Sequence, residues 1–226
     1  MWRPIDNMNR DFTRRIAFSC WLGAMVFYAT NASAEARPTT RRASASEGSI
    51  VVLGDSLSVS PSKAESFPAQ LQKRLTKSGV RWTVTNAGVN GDKTAGGLGR
   101  FNSALPPDTR ILILELGAND GLRGVDIAMI EQNLSIMIER AQSRNIKVLL
   151  CGMLVPPRFG WNYMVAFHRL FPRIAGKYNV PLVPFLLEGV VLKADMNLRD
   201  GIHPNAAGAE RIADTVWPYL EPLVHD

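Results

Sequence analysis

Short β-branched runs alternate with amphipathic stretches through most of this chain, and each run stops at a glycine or a polar residue. Ile50-Val51-Val52-Leu53 ends at Gly54, Trp82 to Asn86 alternates, and Arg110 to Leu116 (RILILEL) is almost wholly apolar. Ile146 to Cys151 and the short Pro181–Pro184 run complete the set. Between them lie helical patterns. Phe67, Leu71 and Leu75 share one face, with Gly79 after the last turn. Ile127, Ile130, Leu134, Met137, Ile138 and Ala141 fall on one stripe, Tyr163–Tyr178 is helical in period, and Ala206–Leu220 forms a final helix. Apolar residues at i, i+3, i+4 and i+7 mark a helix, and short β-branched runs mark buried strands. Strands separated by helices build βαβ units, so the expected class is α/β: a mostly parallel sheet between two helical layers, with right-handed crossovers. In such sheets the ligand site lies outside the carboxyl ends of the strands.

The 226 residues suit one domain with short extensions. Apolar residues make up 46% and charged residues 20%, which excludes disordered and collagenous classes. The formal charge of +6 is unevenly placed. Seven Arg face three acidic residues in 1–46, leaving +2 for the rest. No basic run in the domain exceeds Lys73-Arg74, so a nucleic-acid partner is not expected.

Residues 1–34 read as a secretory signal peptide: Arg10, Arg14 and Arg15, an uncharged apolar span from Ile16 to Thr30, then Ala32-Ser33-Ala34 as a small-x-small cleavage site. The apolar span is shorter than the ~20 residues a membrane-spanning helix needs, so no span is expected after cleavage; an uncleaved anchor is the alternative. Residues 35–47 are polar, small and basic and read as a flexible linker, leaving 48–226 as the domain. Of two cysteines, Cys20 would leave with the signal, and Cys151 would be a buried core residue without a disulfide partner.

Four polar motifs punctuate the pattern. Gly54-Asp55-Ser56-Leu57-Ser58 follows the first strand, placing Ser56 at a strand's carboxyl end. A serine hydroxyl is a poor nucleophile and needs a neighbouring base. Asp200-Gly201-Ile202-His203-Pro204 precedes the last helix; a tight turn at Gly201 can set the Asp200 carboxylate against one imidazole nitrogen of His203 and leave the other for a nucleophile. Gly117-Ala118-Asn119-Asp120-Gly121 follows RILILEL, and an Asn amide there can donate to a developing oxyanion. Asn86-Ala87-Gly88-Val89-Asn90-Gly91-Asp92 follows the second strand and lets backbone N–H groups approach a ligand; its Gly-Asp-Lys-Thr lacks phosphate-loop spacing. No His/Cys cluster has metal-ligand spacing, and no metal or cofactor is expected.

In chain order, GDSLS, the glycine of Asn90-Gly91-Asp92, Gly117-Ala118-Asn119-Asp120 and Asp200-Gly201-Ile202-His203 resemble the four sequence blocks of the SGNH/GDSL hydrolases over about residues 49–222. Glu115 to Gly124 and Pro181 to Phe185 are similar to the bacterial thioesterase I / lysophospholipase L1 / arylesterase group. The resemblance implies a five-stranded, flavodoxin-like parallel sheet in a three-layer α/β/α sandwich. It also implies a monomer and a triad of Ser56, His203 and Asp200. The oxyanion hole would use the backbone N–H groups of Ser56 and Gly91 and the side chain of Asn119. The implied reaction is hydrolysis of small acyl esters or thioesters through an acyl-serine, in the periplasm or outside the cell. Ser58-Val59-Ser60-Pro61 departs from the family pattern, in which a small residue and a glycine often follow GDSLS.

The GxSxG turn of α/β-hydrolases is absent, since Ser58 stands where its second glycine would be. Acyl chains need an apolar groove, for which Leu122, Pro157, Phe159 and Trp161 are candidates, with core capping as the alternative for the two aromatics. A carbohydrate O-acetylesterase would use the same triad with a different groove. A non-catalytic binding module on the same fold is the alternative from another class.

Overall fold

The computed structural model describes residues 47–226. The expected signal peptide and all of the expected linker except Glu47 lie outside the described residues. The elements are β1 (Glu47–Gly54), α1 (Ser56–Val59), α2 (Phe67–Lys77), β2 (Arg81–Asn86), α3 (Thr94–Gly99), α4 (Phe101–Ala104), β3 (Thr109–Glu115), α5 (Ala118–Leu122), α6 (Ile127–Ser143), β4 (Lys147–Cys151), a 3-10 turn (Pro157–Phe159), α7 (Trp161–Tyr178), β5 (Leu182–Val183) and α8 (Ala206–His225).

The five strands form one parallel sheet in the order β2-β1-β3-β4-β5. This is the flavodoxin-like order implied by the family resemblance. Helices α2 and α8 pack together on one face, while α6 and α7, with α3, cover the other. The apolar runs are continuous rather than alternating because the central strands are covered on both faces. Ile50–Leu53 of β1 and Ile111–Leu114 of β3 are fully buried. Against them pack Phe67, Leu71 and Leu75 from α2, Leu134 and Ile138 from α6, and Phe167 and Phe171 from α7. Cys151 is free and buried at the end of β4. Burial, followed by the charge of Glu115, pushes its thiol well above the usual range.

Some boundaries differ from the sequence expectation. Glu47, the last residue of the expected linker, opens β1 opposite Arg81. α8 runs beyond Leu220 to His225 despite Pro218 and Pro222, because Leu220 and Val224 keep its buried face continuous. Three short helices, α3, α4 and α5, fill stretches for which the periodicity gives no element.

The strand order reverses beside β1: the chain leaves β1 for β2 on one side and returns to β3 on the other. A crevice opens at such a reversal, outside the carboxyl ends of the two strands. The loops after β1, β2 and β3 all meet there.

Candidate active site

β1 delivers the first part. It ends at Gly54, and Asp55 caps α1 by accepting the Leu57 N–H at 2.9 Å. Ser56 is thereby the first residue of α1. Asp and Ser are favoured around helix starts because their side chains satisfy donors left without an intrahelical partner. Gly54 is required by space: a Cβ there would overlap Ser58 Oγ and Glu115 Oε2.

The acid–base part comes from a hairpin ahead of α8. Leu198 N–H donates to the His203 carbonyl (2.8 Å), Asn205 N–H to the Met196 carbonyl (3.0 Å), and Asn197 pairs with Pro204. Gly201 turns the tip at a φ of +68°, which favours glycine. Asp200 Oδ1 accepts the backbone N–H groups of Ile202 and His203, both at 2.9 Å, and Asp200 Oδ2 lies 2.7 Å from His203 Nδ1. The N–H of His203, then that of Ile202, then the His203 imidazole hold this carboxyl at a pKa of about 2. It is therefore an ionised acceptor at neutral pH. His203 Nε2 lies 2.9 Å from Ser56 Oγ. Ser60 Oγ donates to the Pro204 carbonyl at 3.0 Å, tying the end of α1 to the residue after His203.

β3 supplies the third part. Gly117 bends the chain out of the strand at a φ of +119° and starts α5, placing Asn119 at the crevice. Asn119 Nδ2 donates to Asp55 Oδ2 at 2.9 Å, and its second N–H remains for the cleft. Asp120 is buried and accepts the Thr94 N–H (2.9 Å) and Thr94 O–H (2.7 Å), fastening α5 to α3. Gly91, at a φ of +72°, borders the same crevice, and Arg123 Nη1 donates to its carbonyl at 3.2 Å.

These parts enclose a cleft of about 430 Å³ lined by Ser56, His203, Asn90, Gly91 and Asn119. Its apolar wall is Val59 and Pro61, with Ser60 between them. The five residues expected to carry acyl transfer, Ser56, Gly91, Asn119, Asp200 and His203, therefore meet in one place: four line the cleft, and Asp200 backs His203. A serine beside an imidazole that is itself oriented by a carboxylate can be deprotonated as it attacks.

The four expected groove residues lie elsewhere. Leu122, Phe159 and Trp161 are exposed, Trp161 at 68%, Pro157 opens the 3-10 turn, and none of them lines the cleft. The Phe159 ring packs over Gly124 and, edge-on, against Tyr163 at 5.7 Å between centroids. The apolar wall comes instead from the Val59–Pro61 segment that departs from the family pattern. That departure was the signal for it in the sequence.

Two buried carboxyl groups, Asp55 and Glu115, lie next to the Ser56 segment. Glu115, the last residue of β3, is buried; its Oε2 accepts the Ser58 O–H at 2.5 Å and the Asp55 N–H at 3.1 Å. Burial, then the neighbouring charge of Asp55, pushes its carboxyl well above the usual range. Asp55 is also wholly buried, and burial lifts it to about 6 against the opposing pull of the Leu57 N–H and the Asn119 amide. The signal for Glu115 is a single acid inside an otherwise apolar strand, since a buried carboxyl must find donors or stay neutral.

The sequence pattern of the GDSL-like lipase/acylhydrolase family matches residues 52–211. Esterase TesA of Pseudomonas aeruginosa is 41% identical over 178 residues, covering 77% of this chain and 89% of that protein. Thioesterase 1/protease 1/lysophospholipase L1 of Escherichia coli is 37% identical over 191 residues, covering 83% and 90%. The crystal structure of TesA superposes with a TM-score of 0.73 at 41% identity, covering 77% of this chain and 99% of that one. With its motifs, its strand order and these relatives in agreement, the chain belongs to the GDSL-like lipase/acylhydrolase family.

Proposed function

We propose that this protein is a serine hydrolase of carboxylic esters and thioesters, with Ser56 as nucleophile, His203 as general base and acid, and Asp200 as the group that orients His203. The observation that carries this reading is the continuous chain Ser56 Oγ–His203 Nε2 (2.9 Å) and His203 Nδ1–Asp200 Oδ2 (2.7 Å) at the strand-end crevice. His203 takes the Ser56 proton as Oγ attacks the acyl carbon, then returns it to the leaving alcohol or thiol; water repeats the cycle on the acyl-serine. The negative charge on the former carbonyl oxygen is received by the N–H groups of Ser56 and Gly91 and by the Asn119 amide, as such donors stabilise the transition state more than the substrate.

Relatives named esterase, thioesterase, lysophospholipase and arylesterase support acyl esters and thioesters as the substrate class. An exported, monomeric enzyme is part of the same reading. Residues 1–34 support export through their signal-like order, and among the described residues no helix is long and apolar enough to cross a membrane.

The test is hydrolysis of p-nitrophenyl esters from acetyl to dodecanoyl by the full chain, beside Ser56→Ala. Turnover that disappears in Ser56→Ala supports the reading. The chain-length optimum separates an acyl esterase from an acetylesterase. A folded protein inactive on every ester and on acyl thioesters would contradict the reading.

A further inference from the structure

Arg100 follows α3 and belongs to none of the three segments that carry the proposed oxyanion donors, yet its guanidinium touches the roots of two of them. Nη2 donates to the Gly54 carbonyl at 2.9 Å, Nη1 to the Ala87 carbonyl at 2.5 Å, and Nε to Asp92 Oδ2 at 2.7 Å. Gly54 ends β1 two residues before Ser56; Ala87 directly follows β2, and Asp92 directly follows Gly91. The backbone reinforces the arrangement. Ala87 N–H donates to the Val52 carbonyl (2.9 Å) and Val89 N–H to the Gly54 carbonyl (3.1 Å), so the 87–92 loop folds across the end of β1. The Arg100 side chain is 22% exposed, and Asp92, its ionic partner, 11%.

A lone surface ion pair contributes little. A planar fork holding two carbonyls and a carboxylate on separate loops is different, because its geometry is fixed by the guanidinium. The 87–92 loop contains Gly88 and Gly91 and has little stiffness of its own. We propose that Arg100 is a positioning residue for hydrolysis: it sets the spacing between the backbone N–H groups of Ser56 and Gly91 as oxyanion donors. The proposal rests on the oxyanion assignment given above. Such donors act at 2.7–3.1 Å from the developing charge, and a shift of ~1 Å costs about 10²-fold in rate. Because the charge exists only in the transition state, the loss falls on kcat rather than on KM.

The experiment compares full-chain Arg100→Ala and Arg100→Lys with wild type and Ser56→Ala on p-nitrophenyl acetate. Competent sites are counted by the end-point stoichiometry of a serine-reactive phosphonate. The expected result is a kcat per site about 10²-fold lower in Arg100→Ala with KM little changed. A smaller loss is expected in Arg100→Lys, which keeps the charge without the fork. Added ethylguanidinium should restore part of the rate to Arg100→Ala and not stimulate wild type, a response that a purely structural role would not produce. Arg100 variants with wild-type kcat per site, a change confined to KM, or lowered thermal stability alone would overturn the proposal. If Arg100→Ala does not fold, Arg100→Lys decides on the same criteria. Activity retained by Ser56→Ala would instead overturn the underlying serine-hydrolase reading, an outcome distinct from normal rates in the Arg100 variants.

Discussion

Asp55→Asn should make this protein more stable and much less active at neutral pH. Asp55 is wholly buried and its carboxyl titrates near 6 instead of 3.8, mainly because burial penalises the charged form. A folded pKa above the unfolded one means that the native state holds its proton longer. The associated stability is fully present below 3.8 and is lost as pH rises through about 6. A shift of about 2 units corresponds to about 3 kcal/mol of destabilisation above pH 7. A neutral Asn escapes that cost. It also presents an NH₂ group to Asn119 Nδ2, which now donates to Asp55 Oδ2 at 2.9 Å. Two facing donors cost ~1 kcal/mol and drive the Asn119 amide to flip, turning its oxygen toward the oxyanion position. The net expectation at pH 8 is a gain of about 2 kcal/mol, or about 4–8 °C in Tm for a domain of this size. Loss of one oxyanion donor costs about 2.7–4 kcal/mol of barrier, a fall in kcat of about 10²–10³-fold. Thermal melts at pH 4 and pH 8 and kcat on p-nitrophenyl acetate read both effects. Wild type should lose stability between the two pH values, and the variant should lose less. A kcat close to wild type, or a variant less stable at pH 8, would refute the reasoning.

Three further outcomes follow from the same geometry. Glu115→Gln should keep most activity and stability, because a neutral carbonyl can still accept the Ser58 O–H and Asp55 N–H. Glu115→Ala strands both buried donors at ~1–3 kcal/mol each and should lower Tm by roughly 10 °C, measured by thermal melt. Asp200→Asn should reduce kcat by up to about 10⁴-fold by presenting an amide to His203 Nδ1. The stability that Asp200 supplies should be present above 3.8 and disappear as pH falls through about 2, as read by acid unfolding of wild type against this variant. Val59→Ala should shift the ester chain-length optimum upward in a p-nitrophenyl series more than Trp161→Ala does, because Val59 walls the cleft and Trp161 does not.

The proposed reacting groups are legible because each follows an element that has its own signal. Ser56 and Asn119 come straight after apolar runs, and the Asp200–His203 spacing needs only one turn at Gly201. The parallel five-stranded sheet followed from alternating periods and the family blocks. What stayed hidden depends on distance across the fold. Phe159 and Trp161, at the end of the 3-10 turn and the start of α7, follow a strand as the proposed site residues do, but the segment after β4 is one strand beyond the β1–β3 crevice. It packs instead over Gly124 and Tyr163. No local period could reveal that Val59 and Pro61 form the wall, since α1 is only four residues long. Asp55, Glu115 and Arg100 each reach a partner 46 to 64 positions away, at separations set by the sheet register rather than by any motif.

The central claim, that Ser56 is the nucleophile and His203 its base, is tested most directly by reacting the full chain with a p-nitrophenyl alkylphosphonate and mapping the adduct by peptide mass spectrometry. One phosphonyl group per chain on Ser56 is predicted, with labelling abolished in Ser56→Ala and strongly slowed in His203→Ala. An adduct on another residue, or undiminished labelling in Ser56→Ala, would contradict it.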